Sequence, residues 1–177
     1  PIMQDSSVSI ITIDSEEGLE IMRHTLTAQV LARAVKNLYP KSKLAIGPTI
    51  KDGFYYDVEC KETISIDDLE KIEKEMDKIV KTKSSITKKL LSKKDALKVF
   101  KDKDESYKEE IINDSDQEDE FQLYYQDDED FVDLCKGPHL PNLNFIGAYK
   151  LTTISGAYWK GDSSNTMLTR IYGTAWR

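Results

Sequence analysis

The sequence predicts an α+β fold in which helices pack against antiparallel sheets. Apolar residues at helical spacing mark helices, whereas short alternating segments rich in β-branched and aromatic side chains mark strands. The two kinds of segment follow one another in an irregular order, unlike the regular strand–helix alternation of a doubly wound parallel sheet. With 177 residues, the chain has room for one large domain or for two small domains packed together.

The first predicted elements are a strand, a long helix and a hairpin. Residues Ser7–Thr12 alternate and are rich in β-branched side chains, so we expect a strand there, after a leader at residues 1–6. Two acidic residues open the long helix and Tyr39-Pro40 ends it, which places it at about residues 16–39. Residues Leu44–Val58 then read as two strands, because Asp-Gly at 52–53 is a hairpin signal.

A lysine-rich helical insert is predicted over about residues 65–103. Ser65 and Asp68 resemble a capping box, and the helix that follows carries an apolar stripe of Leu69, Ile72, Met76 and Ile79. A shorter helix follows Ser92. The remaining segments are strand-like: Phe121–Tyr125, Asp130–Leu134, Phe145–Leu151 and Ala157–Trp159. Arg170–Trp176 closes the chain.

Charge is distributed unevenly along the chain. The formal net charge of −7 argues against an overall basic nucleic-acid-binding protein. The segment Lys78–Lys103 nevertheless has ten lysines and two acids, a local charge of +8, whereas Asp104–Asp130 has thirteen acids and one lysine, a local charge of −12. The lysine segment is either a solvated face or a surface that meets a polyanion. The acidic segment, about residues 104–130, is predicted to be a loop.

The composition also bears on the location of the protein. We find no apolar run of membrane-spanning length and no signal peptide, so we expect no membrane partner. The two cysteines, Cys60 and Cys135, are too few for a disulfide framework, which favours a reducing cytoplasm. Because the chain begins at Pro1, we expect it to be a fragment of a longer protein.

Two short clusters are candidates for chemistry. Cys135 and His139 form a C-x-x-x-H pattern around Gly-Pro, and such a turn can point a thiol and an imidazole into one pocket. The alternatives are a buried structural cysteine and a histidine that caps the backbone. His24 and Gln29 are five residues apart, which is about 140° around a regular helix, so they share one face only if a π-bulge lies between them.

Six segments in order resemble the editing domain of bacterial-type threonyl-tRNA synthetases, and the resemblance covers about residues 7–176. They are EGLEIMRH (17–24), AIGPTIKDGFYYDV (45–58), ESYK (105–108), FVDLCKGPHLP (131–141), SGAYWKGD (155–162) and MLTRIYGTAW (167–176). The resemblance implies an α+β editing domain at residues 7–177, which hydrolyses the ester of seryl-tRNA for threonine. Serine lacks one methyl group of threonine, and such a difference supplies only about 1–3 kcal/mol of discrimination, so a second hydrolytic site is useful.

The resemblance also implies functional residues and partners. Those expected to be catalytic are His24, Cys135, His139 and Lys108, and those expected to bind substrate are Gln29, Tyr56 and Asp133. Partners would be the 3′ end of the tRNA for threonine carrying serine, the rest of the synthetase chain and, for the parent enzyme, a second copy in a homodimer. The parent would join threonine to its tRNA with ATP, in a core that holds ATP, magnesium and zinc and is absent from this chain.

The chain departs from the family at one point. Gln29 replaces the second histidine of the family's H-x-x-x-H half-site, and one extra residue precedes it. Related alanyl-type editing proteins hold zinc with four such ligands, and here only His24, Cys135 and His139 remain as good ones. We therefore expect no metal and no cofactor in this domain. Two alternatives remain open: a degenerate domain that binds the acceptor end without hydrolysis, and a free-standing editing protein.

Overall fold

The computed structural model describes residues 2–127 and 131–177. Pro1 in the predicted leader, and residues 128–130 at the end of the predicted acidic loop, lie outside the described residues. The helices are α1 (Glu16–Thr25), α2 (Ala32–Leu38), α3 (Leu69–Lys81), α4 (Lys93–Asp102) and α5 (Ser106–Asp114). The strands are β1 (Lys43–Leu44), β2 (Thr49–Ile50), β3 (Gly53–Glu59), β4 (Ile86–Leu91), β5 (Phe121–Gln126), β6 (Phe131–Leu134), β7 (Ala148–Tyr158) and β8 (Met167–Trp176).

The strands form two antiparallel sheets, which confirms the predicted α+β class. The larger sheet has the order β1-β3-β8-β7, with β2 also paired to β3, and the smaller sheet has the order β4-β5-β6. The larger sheet turns Phe54, Tyr56 and Val58 of β3 towards the long helix and α3, where they join the main hydrophobic core. The smaller sheet packs against α4 and α5 around Phe100 and Ile112.

Local sequence signals account for several of these elements. The capping box of Ser65 and Asp68 is present before α3, and the predicted apolar stripe of this helix is buried. Ser92 caps α4 by accepting a hydrogen bond from the backbone N–H of Asp95. Asp52 has a φ of 61° in the turn between β2 and β3, as the Asp-Gly hairpin signal predicts.

The long helix is unbroken from residue 16 to residue 38, but its middle is a π-helix, Leu26–Leu31. A π-helix is the irregularity that sequence spacing requires if His24 and Gln29 are to share one face. All six of its residues are buried. None of the described helices is long and apolar enough to span a membrane.

The two strands predicted at Phe145–Leu151 and Ala157–Trp159 are one strand, β7, in the structure. Three further predicted elements differ from the structure. Residues 7–12 form no strand, because they pair with no neighbouring strand among the described residues, and Val8 and Ile10 are exposed. The insert at 65–103 is not wholly helical, since β4 interrupts it. The acidic segment at 104–130 is largely ordered as α5 and β5, and irregular structure after α5 is confined to 115–120 and the turn at Asp127 among its described residues. Its apolar side chains are buried, and their packing overrides the high local charge.

Candidate functional site

A cavity of about 510 Å³ lies between the long helix, the segment after β1, α5 and the smaller sheet. Four of the predicted site residues line it: His24, Lys108, Asp133 and Cys135. A second, open cavity of about 560 Å³ adjoins it and shares His24 and Pro48 with the first. His24 therefore lies where the two cavities meet.

The thiol of Cys135 and the ring of His24 form the centre of this site. Cys135 Sγ lies 3.0 Å from His24 Nε2 and accepts a hydrogen bond from the backbone N–H of Gly137 at 3.2 Å. A nitrogen of the His24 ring also makes a hydrogen bond to the backbone of Pro138. Since proline has no N–H, its carbonyl accepts, and the His24 nitrogen that bonds it carries a hydrogen.

Burial keeps both groups in their uncharged forms. It lowers the pKa of His24, an effect that the bond to Pro138 and the charges of Asp133 and Glu20 oppose. Burial also raises the pKa of Cys135 to about 12, so this cysteine is a thiol at neutral pH. A thiol is a weak nucleophile compared with a thiolate, and the geometry therefore favours attack by water over a covalent cysteine intermediate.

His139 belongs to the same cluster but lines neither cavity. Its ring lies 4.5 Å from the ring of His24 and 4.5 Å from that of Tyr124, measured between centroids. Burial and the neighbouring His24 lower the pKa of His139 to about 3. Its Nδ1 contacts Thr25 Oγ1 at 3.0 Å, whereas its buried Nε2 has no hydrogen-bond partner among the described residues.

The floor of the first cavity is a buried ion pair between Lys108 and Asp133. Lys108 Nζ lies 2.8 Å from Asp133 Oδ1, with side-chain exposures of 3% and 2%. The ammonium also donates to the carbonyl of Ala45 at 2.7 Å and to the hydroxyl of Tyr56 at 3.0 Å. Because a lysine ammonium has three hydrogens, all of its donors have partners, and Lys108 acts by holding its neighbours in place.

Asp133 keeps one open acceptor position in this network. Its Oδ1 accepts from Lys108 and from the backbone N–H of Leu134 at 2.8 Å, and its Oδ2 accepts from the hydroxyl of Tyr56 at 2.9 Å. Two carboxylate oxygens offer about four acceptor positions. The fourth has no partner among the described residues, and Asp133 lines the cavity. Tyr56 is fully buried and is not among the residues that line the cavity; its hydroxyl contacts Asp133 and Lys108, and its predicted substrate contact stays a prediction.

Gln29 does not line the cavity, although the π-helix is present. It is fully buried, and its side chain bonds Gln126 and the carbonyl of Tyr124. Ala28 lines the cavity in its place. The geometry therefore does not support the predicted substrate-binding role of Gln29, because hydrogen bonds with β5 hold its side chain in the interior.

At two glycines the backbone lies so close to a tyrosine ring that no side chain would fit. A Cβ on Gly47 would lie 2.2 Å from a ring carbon of Tyr56, and one on Gly137 would lie 2.0 Å from the hydroxyl of Tyr124. Gly137 also has a φ of +63°, which side chains rarely adopt. Gly47 and Pro48 line the cavity next to Ile46, within the AIGP part of a segment that carries the family resemblance. None of these three lining residues was predicted as a site residue. Their place in a segment that resembles the family is the sequence feature that could have identified them.

The cluster offers three of the four ligands of a zinc site. Within residues 2–127 and 131–177, His24, Cys135 and His139 form the one such group, with ligand atoms within 4.8 Å of one another. Structural zinc sites are almost always four-coordinate. Ala28 has no donor atom, and Gln29 is bonded elsewhere, so the residues do not fit a site with four protein ligands. The absence of a metal from this site stays a prediction.

Comparison with known proteins tests the resemblance. A sequence profile described as the threonyl and alanyl tRNA synthetase second additional domain matches residues 122–172. A threonine--tRNA ligase of Francisella philomiragia subsp. philomiragia is 51% identical over 175 residues, which are 99% of this chain and 27% of that protein. A threonine--tRNA ligase of Prochlorococcus marinus is 45% identical over 176 residues, with the same shares.

These matches include both the helix that carries His24 and the turn that carries Cys135 and His139. The chain spans about a quarter of the length of these relatives. The resemblance inferred from the six segments is thereby confirmed: the chain is similar over nearly its whole length to part of the threonine--tRNA ligases, and its residues 122–172 match the second additional domain of threonyl and alanyl tRNA synthetases.

Proposed function

We propose that this chain is the editing domain of a threonyl-tRNA synthetase and hydrolyses the ester that joins serine to the tRNA for threonine. One observation carries the proposal: a single cavity is lined by an imidazole, a neutral thiol and a buried carboxylate–ammonium pair. The 3′-terminal adenosine with its serine would occupy this cavity. The parent enzyme would ligate threonine to the tRNA with ATP in a separate core, in the cytoplasm and as a homodimer.

Four residues have separate roles in the proposed hydrolysis. His24 is the group that can accept a proton from water, since it borders both cavities and burial favours its neutral form; the water takes the place of the Cys135 thiol at Nε2, the ring nitrogen that carries the lone pair. Cys135 holds the His24 ring through its contact with Nε2. Asp133 presents its open acceptor position to the amino group of serine, and Lys108 keeps that carboxylate in place.

One exposed lysine of the cavity lining suits an RNA end. Lys136 is this residue, and its ammonium would contact a phosphate of the acceptor strand. Within the lysine segment, Lys78 and Lys98 pair with Glu75 and Asp102, which reduces the charge available to a polyanion. Lys136 is therefore the better candidate for a phosphate contact.

A second candidate function is binding of the acceptor end without hydrolysis. The observation that favours it is that Ala28 borders the cavity and Gln29 does not, so the residue that replaces the family's second histidine offers no group to a substrate. Both candidates predict binding of an acceptor-stem RNA, whereas only the first predicts turnover.

The two functions are separated by incubating this chain with seryl-tRNA for threonine and measuring the serine released. We expect faster release than in buffer alone, and little effect on threonyl-tRNA as the matched substrate. His24→Gln should lose the acceleration, because glutamine accepts no proton near neutral pH. A rate equal to spontaneous hydrolysis, together with retained RNA binding in fluorescence anisotropy, would leave only the second candidate.

A further inference from the structure

The hydroxyl of Thr25 is the meeting point of three groups beside the candidate site. Its Oγ1 lies 2.9 Å from the carbonyl oxygen of Ile21 in the preceding turn of α1. The same atom lies 3.0 Å from the backbone nitrogen of Leu140 and 3.0 Å from Nδ1 of His139. One hydroxyl thus joins the long helix to the turn that carries the C-x-x-x-H pattern.

The chemistry of these groups determines where the hydrogens lie. A hydroxyl has one hydrogen to donate and two lone pairs that accept. The Ile21 carbonyl can only accept, and the Leu140 N–H can only donate. The hydroxyl hydrogen therefore goes to Ile21 and one lone pair accepts from Leu140. The second lone pair faces His139, so the hydrogen of this imidazole is on Nδ1.

The opposite tautomer satisfies fewer groups. A hydrogen on Nε2 would be buried without an acceptor among the described residues, since this atom has no partner there. It would also leave Ile21 and Nδ1 competing for one hydroxyl hydrogen. Nε2 lacks a partner in either tautomer, so the bonds at Nδ1 decide between the two. The arrangement with the hydrogen on Nδ1 makes all three bonds of Thr25 at once.

His139 in turn supports the group that reaches the cavities. Its ring packs against His24 at an interplanar angle of 32° and meets the ring of Tyr124 at 86°. His139 itself lines neither cavity, so its effect on a substrate passes through His24. His24 therefore packs against a ring that is held in one tautomer and one orientation.

We propose that Thr25 is a positioning residue of this site: its hydroxyl fixes His139 in the tautomer with hydrogen on Nδ1, and thereby holds the ring against which His24 is oriented. The assignment of the tautomer is independent of the proposed function. Its consequence for deacylation rests on that function.

The tautomer is measured directly by the ring ¹⁵N chemical shifts of this chain. The sequence has only two histidines, and the spectrum of the His24→Gln variant assigns the signals of His139. In the unchanged protein and in Thr25→Ser we expect Nδ1 to show the shift of a nitrogen that bears hydrogen, and Nε2 that of one with a free lone pair. Thr25→Val, which has the same shape without the hydroxyl, should give averaged shifts from two tautomers.

The matched control is Thr27→Val in the same helix. Thr27 also loses a buried hydrogen bond, to the carbonyl of Tyr55, but does not contact His139, so the shifts of His139 should stay unchanged. A lone pair on Nδ1 in the unchanged protein would overturn the proposal, and this holds even if Thr25→Val does not fold. Unaltered shifts in a folded Thr25→Val would overturn it as well.

Kinetics test the positioning role. In deacylation of seryl-tRNA we expect Thr25→Val to lower kcat roughly 10-fold with little change in KM, as loss of an orienting hydrogen bond typically does, and Thr25→Ser to restore most of the rate. Equal rates for Thr25→Val and the unchanged protein would contradict this role. If the unchanged protein shows no deacylation, the proposed function fails, while the ¹⁵N shifts still decide the tautomer.

Discussion

The side-chain amide of Gln126 donates to both oxygens of Gln29, at 2.7 Å to its backbone carbonyl and 3.1 Å to its side chain. Arg33 donates to the oxygen of the same Gln126 amide at 2.8 Å. These bonds tie the π-helix to β5 and direct Gln29 into the interior. Ala28 is consequently the residue that borders the cavity beside His24.

This arrangement predicts which single substitution creates a zinc site. Ala28→His places a third imidazole beside His24, Cys135 and His139, which completes four ligands. We expect this variant to retain about one zinc ion per chain after dialysis, measured by mass spectrometry of the metal, whereas the unchanged protein retains little. Gln29→His is the matched control and should behave like the unchanged protein, since position 29 faces Gln126. Stoichiometric zinc in the unchanged protein would contradict the predicted absence of a metal.

The neutral thiol of Cys135 predicts a graded loss of activity. Cys135→Ala should slow deacylation about 10-fold, the loss of about one hydrogen bond to a ring, while Cys135→Ser keeps a donor and loses less. Cys60→Ala is the control, because Cys60 lies outside both cavities. Rates of serine release check this ordering. A covalent adduct on Cys135, trapped and seen by mass spectrometry, would instead show that the thiol is the nucleophile.

Burial of His139 predicts that the protein loses stability as the pH falls. Its pKa is about 3 in the folded chain and about 6.5 when unfolded, so between these values the unfolded chain binds the extra proton. The free energy of unfolding should therefore decrease from pH 7 to pH 5, with a slope approaching 1.4 kcal/mol per pH unit, roughly the limit for one proton. The burial of His24 adds to the decrease with the same sign.

Urea unfolding at several pH values measures this slope. His139→Gln should have a smaller slope between pH 7 and pH 5, a range in which exposed carboxylates stay ionised. The same slope in the variant and in the unchanged protein would show that His139 does not titrate in this way.

Because Lys108 and Asp133 form a buried pair, we expect substitutions at these two positions to be strongly coupled in their effects on the free energy of unfolding. Lys108→Met leaves a carboxylate without its cation in the interior, which we expect to cost about 3–5 kcal/mol in the free energy of unfolding. Adding Asp133→Asn to that variant should cost little more, because the partner charge is then gone. Lys74→Met removes an exposed pair with Glu70 and should cost less than about 0.5 kcal/mol. The coupling would be contradicted if the double variant lost as much unfolding free energy as the two single substitutions lose together.

Local sequence signals predicted elements whose causes are local. The capping residues and the apolar stripe of α3, the cap of α4 and the Asp-Gly turn before β3 depend on residues a few positions apart. The six motif segments likewise identified four residues that line the cavity. The predicted strand at 7–12 failed because a strand also needs a partner, and alternation of side chains does not supply one.

The chain by itself determined the class of fold, the family it resembles and the cluster of His24, Cys135 and His139. Only the tertiary structure decided that Gln29 points away from the cavity, that Lys108 has all its donors occupied, and that Thr25 joins the helix to the turn. The physical reason is distance along the chain. These contacts join residues between 25 and 115 positions apart, and no local periodicity specifies such pairs.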